Sequence, residues 1–413
     1  MRIVQGSASA HNGGAGRAAL RLHNALLTEG LDSTFITGEA DVRAAKVITA
    51  SERRPAWRYL KLWQESSLLK LSPTPNMSLR SSALVRGPVG RELLSVGADV
   101  IHLHWLGGFA ASIPQIGNVL RRTPTVWTLH DLWVPSGTEH YGGSIDRRRL
   151  GYTRRNRPDG ESGFDLDRMV WNRKRRHWSQ PARLVAPSEW LANEVRSSQL
   201  CAEWPVRVIP NPLDTQMFRP IGRELARSLL GLPPSEPLIL FSALGGIDDP
   251  RKGWDLLERA LPQVLRSTPG LRIVTVGGST AAVAGLHSDH VLPVGRVADD
   301  LTLAALYSAV DCVVVPSRED VLPQVATEAQ ACGTPVVGFR IGGLPDCVVD
   351  GSTGALAEPF DTDDLAERIT WVVSQELESG ELGRSSRDRA VRLWSFPVVV
   401  QQYNALYESA LHD

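Results

Sequence analysis

The chain has 413 residues, too many for one ordinary hydrophobic core, so two domains are expected. Hydrophobic residues make up 42% and charged residues 22%, a globular and not a disordered composition. Lys plus Arg (45) balances Asp plus Glu (45), which argues against bulk nucleic-acid binding. The opening Met1-Arg2-Ile3-Val4-Gln5-Gly6 lacks the apolar run of a signal peptide, and no stretch of about 18 apolar residues suggests a membrane span. The spacing of Cys201, Cys312, Cys332 and Cys347 fits no zinc or redox motif, so reduced thiols packed as small hydrophobes and a cytoplasmic location are expected.

In chain order, Arg2 to Gln5 is a short β run, and His11-Asn12-Gly13-Gly14-Ala15-Gly16 is a glycine loop. A helix over Arg17–Thr28 follows, with Ala18, Ala19, Leu22, Ala25 and Leu26 at helical spacing. Ser33 to Thr37 is the next strand, completing a βαβ unit and pointing to a parallel sheet. Strands are also expected over 99–104, 125–130 and 183–186, with Ser188 capping a helix over 189–197. The turn Pro210-Asn211-Pro212 precedes a boundary at 214/215. A second alternating set follows: strands over 238–242, 272–276, 291–294, 312–315 and 335–338, and helices over 253–265, 301–308, 325–331 and 362–375. The chain therefore reads as α/β, with two doubly wound Rossmann-like domains, 1–214 and 215–397, facing each other across a cleft. The amphipathic segment 398–413 is expected to pack back on the first domain. Ligands in such folds sit at the carboxyl ends of the strands.

Between two strands lies a basic stretch, Arg147, Arg148, Arg149, Arg154, Arg155 and Arg157, then Arg168, Arg173, Lys174, Arg175 and Arg176. Its second half, 165–178, reads as a helix. A salt-bridged or solvated face is one reading; an anionic acceptor or peripheral contact with an anionic membrane surface are others. His102 and His104 share a strand face, but without a third ligand they read as core or cleft lining, and no metal site is expected. Trp105, Trp127 and Trp133 could stack on sugar faces or belong to the core.

The most specific stretch runs from Pro316 to Val337. Asp320 and Glu328 are carboxylates eight positions apart, one in a loop and one in a helix, suited to gripping paired sugar hydroxyls. Peptide N–H groups at the helix start can meet a diphosphate. This stretch resembles the acidic-x7-Glu motif of the retaining GT-B glycosyltransferases of family four, group 1. Gly342-Gly343-Leu344-Pro345-Asp346 looks like that family's glycine-pair segment, 208–215 like its interdomain signature, and Lys252-Gly253-Trp254-Asp255 like its phosphate-binding lysine and following helix. Trp127-Thr128-Leu129-His130-Asp131-Leu132-Trp133 and Gly13-Gly14-Ala15-Gly16-Arg17 look like the branch building exopolysaccharides of the colanic-acid type.

The resemblance implies a nucleoside-diphosphate sugar donor, a UDP-sugar before a GDP-sugar, and a glycan, lipid-linked or small-molecule acceptor. It requires no cofactor and no metal. Glu328 matches the glutamate that holds the donor ribose, Asp320 the acidic position contacting the transferred sugar, where Glu is usual, and Lys252 the lysine neutralising the diphosphate. Ile247 stands where the family's partner arginine is found, and Arg251 is the substitute. Gly13 and Gly14 match the loop approaching the donor phosphate, His130 the histidine near the reacting sugar, and Gln324, Arg296 and Val297 complete the expected donor contacts. Two competing readings share this fold, a sugar-nucleotide epimerase or nitrogen-coupling pseudo-glycosyltransferase, and a non-catalytic binder of nucleotide sugars. A nicotinamide oxidoreductase would need the G-x-G-x-x-G spacing and an acidic residue ending the second strand, and neither is read here.

Overall fold

A computed structural model describes residues 1–40, 42–51, 55–243, 245–278 and 288–412. The chain divides into two compact units, one of Met1–Pro212 with Val399–Asp413 and one of Leu213–Val398.

The first unit holds seven strands: β1 (Arg2–Ser7), β2 (Asp32–Thr37), β3 (Val47–Thr49), β4 (Val100–Leu103), β5 (Thr125–Thr128), β6 (Arg183–Ala186) and β7 (Val206–Val208). Their order is β3-β2-β1-β4-β5-β6-β7, with every pairing parallel. β4 and β5 are buried throughout, as expected of strands covered on both faces. The helix after β1 spans Gly13–Thr28, four residues earlier than the periodicity suggests. Glu39 shortens the preceding loop: its carboxylate accepts from the backbone N–H of Ala10 (2.7 Å) and His11 (2.9 Å) and from the Asn12 amide (2.9 Å). Gly13 and Gly14 therefore open the helix and do not sit in a loop. Ser188 caps the helix Glu189–Arg196 by accepting from the Leu191 N–H.

The segment 399–412 completes this unit. Its Tyr403 and Tyr407, both buried, reach Thr128 Oγ1 (2.8 Å) and His102 Nδ1 (2.6 Å). Asp413, the last residue of the expected segment, lies outside the described residues.

The second unit has six strands: β8 (Leu238–Ser242), β9 (Arg272–Val276), β10 (Val291–Gly295), β11 (Cys312–Val315), β12 (Val336–Phe339) and β13 (Gly354–Ala357). The order is β10-β9-β8-β11-β12-β13, again parallel throughout. The helix Trp254–Ser267 turns Leu256, Leu257, Ala260, Leu261 and Val264 into a core shared with β8, β9 and helix Thr362–Glu378. Each fully buried leucine there contributes roughly 1.5–3 kcal/mol. β13, with the sequence Gly-Ala-Leu-Ala, carries almost no β propensity and is not read from the sequence; the pairing of Phe339 with Ala357 and its neighbours defines it. All four cysteines are buried free thiols.

Candidate functional site

In the second unit the strand order reverses between β8 and β11, the place where open α/β sheets bind ligands. The loops leaving these two strands are fastened to each other. Gly253 has φ +72°, and a Cβ there would lie 2.0 Å from the Pro316 carbonyl oxygen, so only glycine permits this approach. Beside it the Arg318 N–H donates to the Arg251 carbonyl (2.8 Å). The Arg318 guanidinium grips both carboxylate oxygens of Asp255 (2.8 and 2.7 Å) and the Pro250 carbonyl (2.6 Å).

This clamp brings Lys252, Arg251 and Asp320 together. Lys252 Nζ stands 2.6 Å from Asp320 Oδ2, and Arg251 Nη1 lies 3.5 Å from the same oxygen while donating to the Glu319 carbonyl (2.9 Å). The backbone of Asp320 is itself held, because Gly343 N–H donates to its carbonyl (2.8 Å). Gly342, at φ +59°, leaves no room for a Cβ, which would come within 2.6 Å of that carbonyl oxygen. Burial pushes the Asp320 carboxyl upward, but the Lys252 ammonium and Arg251 guanidinium outweigh it and hold it below its ordinary value. Two cations thus converge on Asp320, and Arg251 Nη2 also lies 3.8 Å from Asp249 Oδ2.

Glu328 lies in the helix Gln324–Ala331 that follows, buried, accepting from the Tyr307 hydroxyl (2.8 Å). Gln324 opens the same helix, directly after Pro323. Arg296 and Val297 follow β10 at the sheet edge, three strand spacings (about 14 Å) from β11. Among the described residues no hydrogen bond or ion pair joins either of them to the Lys252–Asp320 cluster. Sequence reasoning passed over Tyr307 and Arg318, whose partners are distant along the chain.

In the first unit the order reverses between β1 and β4. Gly13 and Gly14 follow β1; His104 and Trp105 follow β4; His130 and Asp131 lie two and three residues past β5. His130 is thus beyond the strand that was expected to include it. Its Nε2 is 3.2 Å from His104 Nδ1, and its carbonyl accepts from the Tyr141 hydroxyl (3.1 Å). Burial draws His130 down to about 4 despite the neighbouring Asp131 charge, so the ring is neutral at pH 7. Asp131 is committed elsewhere, to His140 Nδ1 (2.5 Å) and to the Trp105 indole N–H (2.9 Å). His102 and His104 are wholly engaged in buried hydrogen bonds, and no metal-holding group of His, Cys, Asp and Glu occurs among the described residues. Trp127 and Trp133 are core residues; Trp133 lies under the Lys174 ammonium at 3.9 Å.

The basic stretch separates into two populations. Arg147 is fully buried, paired with Asp165 (2.7 Å) and Glu161 (3.4 Å), and Arg148 is paired with Glu194 (2.8 Å). Lys174 donates to the carbonyls of Trp133, Ser136 and Gly137. These three side chains hold the unit together and cannot meet a membrane. Arg149, Arg154, Arg155, Arg175 and Arg176 are exposed. Arg154, Arg157 and Arg168 line a cavity of about 560 Å³ with Asn172, Phe164 and Asp165. Among the described residues, no helix is long and apolar enough to cross a membrane.

Residues 12–217 match the family model described as Glycosyltransferase Family 4, and residues 237–375 match that of Glycosyl transferases group 1. The D-inositol 3-phosphate glycosyltransferase of Mycolicibacterium smegmatis is 32% identical over 336 residues, covering 76% of this chain and 68% of the relative. The chain belongs to glycosyltransferase family 4. The Segniliparus rotundus protein of the same name is 34% identical over 241 residues, 55% of this chain and 52% of its own. The matched part thus spans between about half and two thirds of these curated relatives. Among solved structures, sucrose-phosphate synthase from Thermosynechococcus elongatus superposes with a TM-score of 0.69 at 21% identity, over 99% of both chains. Anabaena HepE in complex with UDP-glucose gives 0.67 at 19% identity, over 99% of this chain and 100% of its own. These likenesses make the fold GT-B, with two parallel Rossmann-like α/β units.

Proposed function

We propose that this chain transfers a hexosyl group from a nucleoside-diphosphate sugar to an acceptor carrying an anionic group, with retention of anomeric configuration. The observation that carries the proposal is the Lys252–Arg251–Asp320 cluster at the β8/β11 reversal. In this reading the second unit holds the donor and the first the acceptor. The bond from the anomeric carbon to the diphosphate oxygen breaks, and its electron pair passes to the leaving diphosphate. Lys252 and Arg251 stabilise that growing charge. Glu328, at the other end of the donor, accepts from the ribose hydroxyls. Gln324 and the N–H groups at the start of its helix are assigned to the phosphates, and Arg296 and Val297 to outer donor contacts. The acceptor oxygen attacks the face from which the diphosphate leaves, and its proton passes to the departing oxygen, the nearest base on that face. Retention rests on the family resemblance.

UDP is favoured because the structural relative HepE binds UDP and UDP-glucose. The sequence stretches shared with the colanic-acid branch favour a lipid-linked glycan phosphate as acceptor, and the inositol-phosphate relatives favour a phosphorylated small molecule. Both offer an anion, and we assign its counterpart to the exposed Arg154 at the cavity, where Arg157 and Arg168 already face Glu161 (3.5 Å) and Asp165 (3.9 Å). The buried, unpaired thiols suit the reducing cytoplasm.

Thermal shift against UDP, GDP, ADP and TDP tests the donor class. A nucleotide at 100 times its dissociation constant should stabilise by about 2.7 kcal/mol, and UDP is expected to give the largest shift. Glu328→Gln should weaken UDP binding roughly 10- to 100-fold, the worth of a hydrogen bond to a charged partner. Unchanged affinity would remove Glu328 from the ribose. For the acceptor, calorimetry with D-inositol 3-phosphate and with a short glycosyl phosphate should find binding to at least one. Arg154→Glu is expected to weaken it about ten-fold or more without altering UDP affinity. Equal acceptor affinity in the variant would exclude the cavity.

A further inference from the structure

A hydrogen-bond chain crosses the first unit and ends on His130. His23 Nε2 lies 2.8 Å from the Ala45 carbonyl oxygen, and His23 Nδ1 lies 2.8 Å from Ser33 Oγ. Ser33 Oγ is 2.9 Å from Gln5 Nε2. Gln5 Oε1 is 2.9 Å from His104 Nε2, and His104 Nδ1 is 3.2 Å from His130 Nε2. Gln5, His23, Ser33 and His104 are all buried, so no solvent intervenes to relax the pattern.

Every proton in this chain has a determined direction. A carbonyl only accepts, so His23 Nε2 carries the hydrogen. A neutral imidazole has one, so His23 Nδ1 accepts, and its donor is the Ser33 hydroxyl. Having given its proton, Ser33 Oγ accepts from the Gln5 amide nitrogen. That turns the Gln5 amide oxygen toward His104, whose Nε2 must donate. His104 Nδ1 then accepts from His130 Nε2–H. The neutrality this requires is what burial dictates, drawing His23, His104 and His130 below the ordinary imidazole value.

We propose that Gln5, Ser33, His23 and His104 are positioning residues which fix His130 as the Nε2–H tautomer, so that its Nδ1 meets the reacting sugar as a hydrogen-bond acceptor. No protein donor to Nδ1 occurs among the described residues. The consequence is a substrate rule. A sugar hydroxyl can donate to the Nδ1 lone pair, whereas a carboxylate at the same place, having no proton to give, meets a lone pair and is repelled. The relay favours neutral hexoses over uronic acids at the carbon that faces His130. This rule rests on the reading of His130 as a sugar contact; the tautomer itself does not.

The test is therefore in two parts. In protein labelled with ¹⁵N-histidine, two-bond proton–nitrogen correlations report which ring nitrogen is protonated, and the His130 signals are assigned by their loss in His130→Gln. The expected pattern for His130 is a pyrrole-like Nε2 and a pyridine-like Nδ1. In Ser33→Ala the Gln5 amide loses its orientation and the pattern should become a mixture of both tautomers. Gln5→Met, which breaks the chain next to His104, should do the same and serves if Ser33→Ala folds poorly. A protonated Nδ1 in the parent protein, or an unchanged tautomer in both folded variants, overturns the relay. Alongside, the ratio of kcat/KM for UDP-glucose over UDP-glucuronate is expected to fall several-fold in Ser33→Ala. A tautomer that shifts while this ratio stays constant leaves the relay standing and removes His130 from the sugar.

Discussion

Lys252→Ala is expected to lower kcat by about 10²–10³-fold, the usual effect of removing one preorganised group from a developing oxyanion, while donor affinity changes only a few-fold. The asymmetry follows from the geometry. In the resting site the Lys252 ammonium is already occupied by Asp320 at 2.6 Å, so the bound diphosphate must share it. Ground-state attraction is correspondingly small. As the anomeric bond stretches, charge accumulates on the leaving oxygen and the lysine's worth to it grows, which is the condition for an effect on turnover and not on binding. Arg251, 3.5 Å from the same carboxylate, keeps its own share but does not replace the lysine, because its guanidinium also serves the Glu319 carbonyl and lies 3.8 Å from Asp249. Lys252→Arg should recover part of the rate. Single-turnover rates with saturating UDP-sugar, set beside Kd from titration, separate the two effects. A kcat within a factor of about three of the parent protein would remove Lys252 from the leaving-group role.

Arg227→Ala should destabilise the second unit by about 3–5 kcal/mol, the cost of leaving a buried charge uncompensated. Arg227 is buried and gathers three segments at once. Its Nε donates to the Ala309 carbonyl (2.8 Å), its Nη1 to those of Pro234 and Glu236 (both 3.0 Å), and its Nη2 pairs with Asp311 (3.2 Å). Asp311, itself fully buried, accepts the Leu238 N–H (2.7 Å) and so fixes where β8 begins beside β11. Truncation takes the arginine donors from four carbonyls, that of Pro233 included, and half of the charge balance of Asp311, leaving Arg223 at 2.7 Å as its remaining partner. Denaturant unfolding followed by hydrogen exchange of the β8 and β11 amides should show a lower midpoint with an unchanged slope. A loss below about 1 kcal/mol would mean that Arg223 alone suffices.

The alternation of strands and helices was legible from the sequence, and with it the doubly wound character of both halves, because β8, β11 and β12 are short runs of Val, Ile, Leu and Phe. The short strand β13 was not, since its small residues carry little β propensity, and the helices 223–230 and 381–394 were not read although the first is strongly amphipathic. At the site, resemblance could nominate Lys252 and Asp320, but their contact joins residues 68 positions apart and depends on the close approach at Gly253. Glu39 was overlooked because an acidic residue was sought at the end of the second strand as a ribose ligand; two residues past that strand it fastens the preceding loop. The basic stretch was ambiguous for a related reason. Whether an arginine is buried or solvated depends on where its carboxylate partner folds, and Glu194 reaches Arg148 from 46 residues away.

The two tyrosines of the segment 399–412 bear on how the protein is made. Ribosomes deliver Met1–Pro212 first, then all of the second unit, and only then the residues that seal His102 and Thr128. The nascent first unit therefore waits, with a buried histidine and a threonine hydroxyl lacking their phenolic partners, until nearly two hundred further residues have been added. The second unit, contiguous from Leu213 to Val398, has no such dependence and can mature while the first is still open. Chains ending at residue 398 and released from the ribosome should accordingly expose protease sites in the older half of the molecule and protect the younger.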